Sequence, residues 1–404
     1  MGIMKRNFFF LLLVLFTAGI TGAQVNVIKP VSRKTGIDFS GMRAAPDGVS
    51  QQFYQTLEQD LKRSGWFDIA RGGSTDFRLI GTVNQDAGNV KAVCQVYRRA
   101  DNQRIFAKSY SSTPAGVRSL AHAAADEIVL ALTGHKGFAA AKIVSVGTRS
   151  GAKELYLCDA DGGSLQQITR DGRIIVRPRW TPDGSSILFT SYLRGFPDVY
   201  RTHLQTGRRE LLANYAGLNT GAAIAPDGRD LALILSKDGN PELYLKNLRS
   251  GKLTRLTYTS PEVESSPAWS PDGQSLVYVS DQSGGPQLYI ISRTGGRPRR
   301  ISSRGTENVA PEWGANGMIV CSSRSGGRYH IAVIHPVTGQ TTYLPNDGAD
   351  YEDPSWMPDG RHIVCARTAA HQSALYLLDT RGDAPVILLQ GGGDWYSPAS
   401  SPAK

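Results

Sequence analysis

The amino-acid sequence predicts a small α/β N-terminal domain followed by an all-β six-bladed β-propeller that is closed by the C-terminal strand. A Trp-x-Pro-Asp-Gly pattern recurs with the 43- to 45-residue period of a four-stranded propeller blade, and its acidic or amide position is occupied by Asp183, Asp227, Asp272, Asn316 and Asp359. Residues 24–137 contain no copy of this pattern that includes its tryptophan. The sequence therefore predicts a non-repetitive domain at 24–137 and a propeller at 138–404.

Each repeat is predicted to form four antiparallel strands. In the copy that begins at Ser266, the dipeptide Asp272-Gly273 separates two apolar runs, which is the strongest short-range signal of a β-hairpin. A further apolar run ends at Tyr289, and a Gly-containing turn at residues 294–295 leads to a fourth short strand. Two hairpins per repeat give one four-stranded blade.

The two ends of the repeat region predict how the ring closes. Residues 396–402 repeat the segment that opens a blade, whereas residues 142–161 supply a second and a third strand without a first. The last strand is therefore expected to complete the first blade, which gives six blades in a closed ring. Closure removes the exposed sheet edges that promote aggregation.

Residues 1–23 have the three regions of a cleavable signal peptide. Lys5 and Arg6 precede an apolar run at Phe8–Phe16, and small residues end the segment, so cleavage is expected after Ala23. The apolar run is too short to span a bilayer as a permanent helix. We therefore expect an exported protein.

Residues 24–137 are predicted to form two helices and three strands. Apolar residues recur at helical spacing in both helices, and Gly65 and Gly134 follow them as stop signals. The predicted elements are a helix at 49–64, strands at 77–83, 90–97 and 104–110, and a second helix at 117–133. We interpret the apolar stripes of these helices as core-facing surfaces.

Three segments outside the repeats resemble the TolB family, the exported propeller proteins of the bacterial Tol-Pal cell-envelope system. The segments are Leu57–Phe67, Arg118–Ile128 and Leu132–Gly137, and the helix that ends in Leu-Thr-Gly-x-x-Gly before the first blade is the most specific of them. The second strand of the family's first domain is strongly apolar, whereas the matching residues Gly36–Gly41 are mixed.

The resemblance implies a periplasmic, monomeric protein-binding scaffold that supports envelope integrity and cell division. Its implied main partner is the peptidoglycan-associated lipoprotein Pal, at the periphery of the outer membrane. Its implied second partner is the inner-membrane protein TolA, and the family's TolA-contacting segment corresponds to Val25, Val27 and Ile28.

Composition and motifs argue against nucleic-acid binding and catalysis. The chain has a formal net charge of +10, but its basic residues are scattered without interleaved aromatic residues. No serine lies in the Gly-x-Ser-x-Gly pattern of hydrolases. We therefore predict no catalytic residue, no metal, no cofactor and no small-molecule substrate. The alternative is an exported propeller enzyme or a glycan-binding propeller, for which Tyr351, Trp395 and Tyr396 are the hints.

Two local features have competing interpretations. His122 lies close to Asp126 at helical spacing. It is either a base oriented by a carboxylate or a structural residue, in a helix-surface pair or a domain-packing contact; we favour a structural role because no nucleophile lies nearby in sequence. The repeated Asp-Gly dipeptides are interpreted as turn caps rather than calcium ligands. The resemblance leaves open an ion in the central channel, with Glu264, Glu352 and Asp353 as ligands.

Partner binding is predicted at one end of the propeller channel. The Asp-Gly hairpins lie on one face of the ring, the turn face, and the segments leading into the first strand of each blade lie on the opposite, mouth face. Mouth-face segments vary between blades, and binding residues concentrate on loops held by a rigid scaffold. The candidate contact residues, expected to be exposed around the opening, are Asn219, Thr220, Glu264, Ser265, Asn308, Glu352, Asp353 and Tyr396.

Overall fold

A computed structural model describes residues 34–403. The predicted signal peptide at 1–23 and the segment that contains Val25, Val27 and Ile28 lie outside the described residues. Within residues 34–403, no helix combines the length and the apolar character needed to cross a membrane.

The N-terminal domain is a five-stranded sheet with two helices packed on it. The strand order is β2-β1-β3-β4-β5, and β1 is parallel to both of its neighbours. Its elements are β1 (Thr35–Ala44), α1 (Gly48–Arg63), β2 (Phe67–Ala70), β3 (Phe77–Asp86), β4 (Asn89–Arg98), β5 (Arg104–Ser112), a 3₁₀ turn (Pro114–Gly116) and α2 (Val117–Thr133).

Both predicted helices are confirmed, together with their stop signals. The Asp47 side chain caps α1 by accepting a hydrogen bond from the Ser50 N–H at 2.8 Å. Gly65, just past α1, has a φ of 71°, and Gly134 ends α2 with a φ of 73°. Glycine adopts this left-handed conformation without the steric cost that a Cβ imposes, so both helices end there.

Strands β1 and β2 were not predicted, because the alternation of β1 is interrupted at a polar residue. Ile37 and Phe39 are fully buried, but Asp38 between them is also 3% exposed, and the register shifts between Asp38 and Gly41. Asp38 accepts hydrogen bonds from the N–H groups of Ser40 and Gly72, so its burial is compensated. This bulge explains the mixed composition of the segment.

Six four-stranded antiparallel sheets form the propeller, as predicted. Blade 1 contains β6 (Lys142–Gly147), β7 (Glu154–Asp159) and β8 (Gln166–Gln167); blade 2, β9 (Ile175–Trp180), β10 (Ser186–Ser191), β11 (Asp198–His203) and β12 (Arg209–Ala213); and blade 3, β13 (Asn219–Ile224), β14 (Asp230–Leu235), β15 (Glu242–Asn247) and β16 (Leu253–Arg255). Blade 4 contains β17 (Glu264–Trp269), β18 (Ser275–Ser280), β19 (Gln287–Ser292) and β20 (Arg299–Arg300); blade 5, β21 (Glu307–Trp313), β22 (Ile319–Ser325), β23 (Arg328–Ile334) and β24 (Thr341–Tyr343); and blade 6, β25 (Asp350–Trp356), β26 (His362–Ala369), β27 (Gln372–Asp379) and β28 (Val386–Leu389).

The last strand, β29 (Trp395–Ser400), completes blade 1 and closes the ring. It pairs antiparallel with β6, with Ala399 opposite Val144. Trp395 at its start is 1% exposed and packs edge-on against Tyr156 of the same blade. The predicted closure is therefore confirmed.

Neighbouring blades are joined by the tryptophans of the repeat. The indole N–H of Trp269 donates to the Ala223 carbonyl of the preceding blade at 3.0 Å, and that of Trp180 donates to the Ala399 carbonyl at 2.9 Å. Trp269 is 7% exposed, so its ring also contributes buried apolar area. These tryptophans act as contacts between blades.

The N-terminal domain lies on the turn face, over blades 1 and 6. Arg361, just after the Asp-Gly turn of blade 6, donates to the Gly65 carbonyl at 3.2 Å. Lys34 forms an ion pair with Asp383 at 2.7 Å. Among residues 34–403, these contacts leave the mouth face uncovered.

Candidate functional site

The channel wall is built from the first strand of each blade, and every one of these strands has a bulge at the same point. At each bulge the register against the second strand shifts, and one residue has a positive φ. The six residues are Arg177, Gly221, Ser266, Ala310, Asp353 and Ser397. An extra residue at the same place in every blade bends the strand and resets which side chains face the channel.

The residue two positions before each bulge is buried in the wall rather than exposed at the mouth. The six residues, each at most 2% exposed, are Ile175, Asn219, Glu264, Asn308, Tyr351 and Trp395. The expected exposure is therefore wrong for Asn219, Glu264 and Asn308. Alternate residues of a strand point to opposite sides, and here this position points into the blade.

Asn219 and Asn308 hold the loops that precede their strands. The Asn219 amide group donates to the Tyr215 carbonyl at 2.7 Å and accepts from the Tyr215 N–H at 2.8 Å. The Asn308 amide group donates to the Gln287 side chain at 2.9 Å and to the Arg304 carbonyl at 2.8 Å. A buried amide with these partners fixes loop shape and cannot be replaced by a charged side chain without loss of stability.

Glu264 belongs to a buried carboxyl pair under the mouth. It accepts hydrogen bonds from the Thr259 hydroxyl at 2.7 Å and the Ser280 hydroxyl at 3.0 Å. Burial, with the nearby charge of Glu242, raises the pKa of Glu264 to about 8. At neutral pH the carboxyl is therefore protonated, and the pair carries one negative charge.

The residue directly before each bulge reaches the mouth. These residues are Val176, Thr220, Ser265, Val309, Glu352 and Tyr396, and all are half-buried. Together with Asp353 at the bulge, they include the five predicted contact residues that remain accessible. Burial, followed by the charges of Asp353 and Asp350, raises the pKa of Glu352 to about 6, so this carboxyl is charged at pH 7.

Deeper in the channel, charged side chains reach across between blades. The Arg177 guanidinium donates to the Ser266 hydroxyl two blades away, and the Ser397 hydroxyl donates to Asp353 at 2.7 Å. Desolvation lowers the pKa of Arg177, and the charge of Asp353 opposes that shift. The bulge ring therefore places one cation and one anion in the channel.

The channel ends on the turn face in a cavity of about 310 Å³ that the blade tryptophans line. Arg179 of blade 2 faces Glu312 of blade 5 there at 3.9 Å. Glu312 also accepts a hydrogen bond from the Trp356 N–H at 2.8 Å, and burial raises the pKa of Glu312. This end of the channel is therefore lined by structural contacts.

A channel ion is not supported by the positions of its proposed ligands. Glu264 is enclosed in the wall of blade 4, whereas Glu352 and Asp353 lie on blade 6. Among residues 34–403, a close group of potential metal ligands forms at His122, Asp159 and Asp161 instead. That group lies between the two domains, since His122 is on α2 and both carboxylates belong to blade 1.

His122 is a domain-packing contact, and its partners are not the one the sequence indicated. Its Nδ1 lies 2.5 Å from Asp60 of α1, and its Nε2 lies 3.5 Å from Asp159 of blade 1. Asp126 instead accepts hydrogen bonds from the N–H groups of Ala139 and Ala140 at 2.8 and 2.9 Å. The helical spacing of His122 and Asp126 therefore did not identify the pair.

The His122 cluster carries its own cations. Burial opposes the charged form of His122, but the carboxylates of Asp159 and Asp60 raise the pKa of its imidazole to about 9. Arg118 binds Asp159 at 3.0 Å and Asp161 at 2.7 Å, and Lys142 also contacts Asp159. Because these cations already neutralise the carboxylates, the cluster fits an ionic link between domains better than a metal site.

Exposed large apolar side chains concentrate on the mouth face. Among residues 34–403, ten such residues are exposed, and half of them lie in mouth-face loops. These five are Ile174, Leu193, Phe196, Tyr258 and Val263. Apolar side chains gathered on one face of a soluble protein mark an interaction surface.

Comparison with known proteins shows the family to which this chain belongs. A family model described as the TolB beta propeller domain matches residues 129–404. The chain belongs to the TolB β-propeller family. Proteins named TolB homologs from Chlorobium chlorochromatii and Chlorobium luteolum are 33% and 34% identical over 196 and 189 residues, or 48% and 47% of this chain. Each match covers 43% of the relative, so the chain spans less than half the length of these curated relatives in the aligned region.

Solved structures extend the likeness to both domains. The crystal structure of TolB from Acinetobacter baumannii is similar with a TM-score of 0.83 and 26% identity, over 92% of this chain and 98% of that chain. A structure of putative TolB from Agrobacterium tumefaciens, with a TM-score of 0.51 and 19% identity, covers 65% of this chain and 98% of its own, and shows the propeller fold. Membership of the TolB family supports a non-catalytic scaffold, as the sequence predicted.

The glycan-binding alternative loses most of its residues in the structure. Tyr351 and Trp395 are each 1% exposed, so they cannot stack on a sugar ring. Tyr396 alone of the three is half-buried at the mouth. A single aromatic side chain does not form the stacking platform that this alternative requires.

Proposed function

We propose that the protein is a scaffold of the Tol-Pal system that binds the lipoprotein Pal at its mouth face. The observation that carries the proposal is the concentration of exposed apolar side chains on that face, around a channel opening held by a closed ring. The opposite face is partly occupied by the protein's own N-terminal domain. TolB family membership supports a role in the Tol-Pal system in general, and Pal is proposed as the partner within that system.

The proposal includes the setting of the protein. It is exported by the signal peptide at 1–23 and acts in the periplasm as a monomer, where Pal connects it to the periphery of the outer membrane. The segment with Val25, Val27 and Ile28 contacts TolA of the inner membrane. Through these contacts the protein supports envelope integrity and cell division.

Within the mouth, the residues divide into contacts and supports. Thr220, Ser265, Glu352, Asp353 and Tyr396 are accessible and are proposed to touch Pal. The buried residues Asn219, Glu264 and Asn308 are proposed to fix the loops that present them. A rigid surface binds with less loss of conformational entropy, which favours affinity.

The test is an arginine at the mouth. Ser265→Arg and Thr220→Arg each place a bulky charge in the proposed interface, so affinity for Pal without its lipid anchor should fall at least about tenfold, or about 1.4 kcal/mol. The melting temperature should change much less than the affinity, because both side chains are half-buried at the mouth and lie outside the hydrophobic core. Isothermal titration calorimetry and scanning calorimetry measure the two quantities.

Gln274→Arg is the matched control, because Gln274 is exposed beside an Asp-Gly turn on the turn face. It should bind Pal as the unmodified protein does. If Gln274→Arg abolishes binding while both mouth variants bind normally, the turn face is the Pal site and the proposal is wrong.

A further inference from the structure

Three of the exposed apolar residues of the mouth face belong to blade 2 and lie in two segments that meet there. Ile174, Leu193 and Phe196 are 50%, 41% and 72% exposed. The Tyr192 N–H donates to the Ile174 carbonyl at 2.9 Å, and a tight turn then returns the chain from Tyr192 to Gly195, whose φ is 89°. This hydrogen bond joins the segment of Ile174 to the turn that carries Leu193, and Phe196 follows that turn.

The same blade presents two arginines without carboxylate partners. Arg173 and Arg194 are exposed, and within residues 34–403 neither forms an ion pair. Asp171, the carboxylate closest in sequence to Arg173, is engaged by Arg209 at 2.9 Å through both of its oxygens. The positive charge of this surface is therefore available to a partner.

The other side of the opening has the opposite charge. Glu352 and Asp353 of blade 6 carry carboxylates that are half-buried at the mouth, and within the described chain neither pairs with a basic side chain. Asp353 instead accepts the Ser397 hydroxyl. A partner that meets the opening thus encounters a basic, apolar side and an acidic side, and such a charge pattern fixes the orientation of binding.

We propose that one sector of the mouth face receives an acidic and apolar segment of the protein partner, in which aspartate or glutamate side chains flank an aliphatic or aromatic one. This blade 2 sector consists of Arg173, Ile174, Leu193, Arg194 and Phe196. The apolar side chain packs against Phe196, Leu193 and Ile174, and the carboxylates bind the arginines. The inference rests on the proposed function, because it locates the specificity of the same binding face.

Two variants separate charge from apolar contact. Arg194→Glu reverses a charge at the turn tip, and Phe196→Ser removes the most exposed ring, so each should weaken binding of Pal without its lipid anchor by about tenfold or more. The loss for Arg194→Glu should shrink at high salt, since ions screen an exposed charge. The loss for Phe196→Ser should persist.

Matched controls lie on the turn face. Arg297 is an exposed arginine in the turn between β19 and β20, and Val337, 75% exposed, lies in the turn between β23 and β24. Arg297→Glu and Val337→Ser should bind Pal within about twofold of the unmodified protein. If the sector variants bind as tightly as these controls while the unmodified protein binds Pal, the inference fails and the proposed function stands.

If the unmodified protein does not bind Pal, the proposed function is overturned but the inference about the sector is not. A second probe tests the sector in that case. Random peptides displayed on phage are selected for binding to the unmodified protein, residues 24–404. Enriched peptides should carry acidic residues next to an aliphatic or aromatic one, and they should lose binding to Arg194→Glu and Phe196→Ser but not to the two controls. Enrichment of basic or uncharged peptides, or equal binding to all four variants, would overturn the inference.

Discussion

The two faces of the propeller share one ring but are built under different constraints. On the turn face, Asp272 accepts hydrogen bonds from the Ser270 hydroxyl and the Gln274 N–H, and Gly273 takes a φ of 68°. On the mouth face, the turns after β10, β14 and β18 share a glycine with a positive φ (Gly195, Gly239 and Gly284), but their other residues differ. Repetition of one hairpin turn limits the turn face, whereas the mouth face is free to vary.

This difference shows where a repeat protein places specificity. The Asp-Gly turn needs a carboxylate and a glycine in nearly every blade, so its side chains are committed to the turn itself. The turn face of blades 1 and 6 instead holds the N-terminal domain through ion pairs such as that of His122. The mouth face carries half of the large apolar residues that are exposed within the described part of the chain.

The largest effect is expected from the strand that both faces depend on. Deleting residues 395–404 removes β29, opens the ring and leaves two sheet edges unpaired. The free energy of unfolding should fall by more than about 5 kcal/mol, since loss of a buried tryptophan such as Trp395 alone costs about 3 to 5 kcal/mol. Denaturant unfolding measures it, and a truncated protein of nearly unchanged stability would show that the ring does not need this strand.

The next effect concerns the contact between blades. Trp269→Ala removes a ring that is 7% exposed and its hydrogen bond to Ala223. We expect a loss of about 3 to 5 kcal/mol in the free energy of unfolding. Because Trp269 is away from the mouth, binding of Pal by the folded fraction should be unchanged. Normal stability with lost binding would instead place a ligand platform on the turn face.

A smaller, pH-dependent effect is expected at the link between the domains. Because the pKa of His122 is raised to about 9 from its ordinary 6.5, its stabilisation is complete below about pH 6.5 and is lost as the pH rises through 9. His122→Gln should cost up to about 3 kcal/mol at pH 6 and little at pH 10. Unfolding curves for both proteins between pH 6 and 10 measure this, and parallel losses at every pH would contradict it.

The smallest effect is a gain in stability under the mouth. The raised pKa of Glu264 means that the folded protein keeps a proton that the unfolded chain releases, so stability falls as the pH rises from about 4.5 to about 8. Glu264→Gln removes this dependence and should stabilise the protein by about 1 to 2 kcal/mol at pH 8. Thermal unfolding at pH 5 and pH 8 measures it, and equal stability of both proteins at pH 8 would show that Glu264 is ionised there.

Local signals allowed the sequence to predict the propeller, its closure and both helices. The Asp-Gly turns and the stop residues Gly65 and Gly134 act within a few residues of themselves, so their effect can be identified in the sequence. Strand β1 was missed because the buried Asp38 breaks its alternation, and the partners that satisfy Asp38 include Gly72, far along the chain.

The site was harder to predict than the fold because one residue of register decides exposure. Asn219 and Thr220 are neighbours, yet the first is fully buried and the second is half-buried at the mouth. A shift by one residue moves a side chain to the other side of a strand, and the composition of a polar segment does not reveal which residue points inward. The partner of His122 was also hard to predict from the sequence, since Asp159 lies in another domain.

Ring closure also has a consequence for how the protein folds. Strands within a blade meet through short hairpins, but β29 must find β6, so Ser400 pairs with Ile143 only after the intervening blades have brought them together. The entropy of closing a loop grows slowly with its length, by about 0.6 kcal/mol per doubling, so this pairing costs little more than a shorter one. Contacts between distant residues nevertheless slow folding. We therefore expect the blades to form early and the pairing of β29 with β6 to set the rate at which the native ring appears.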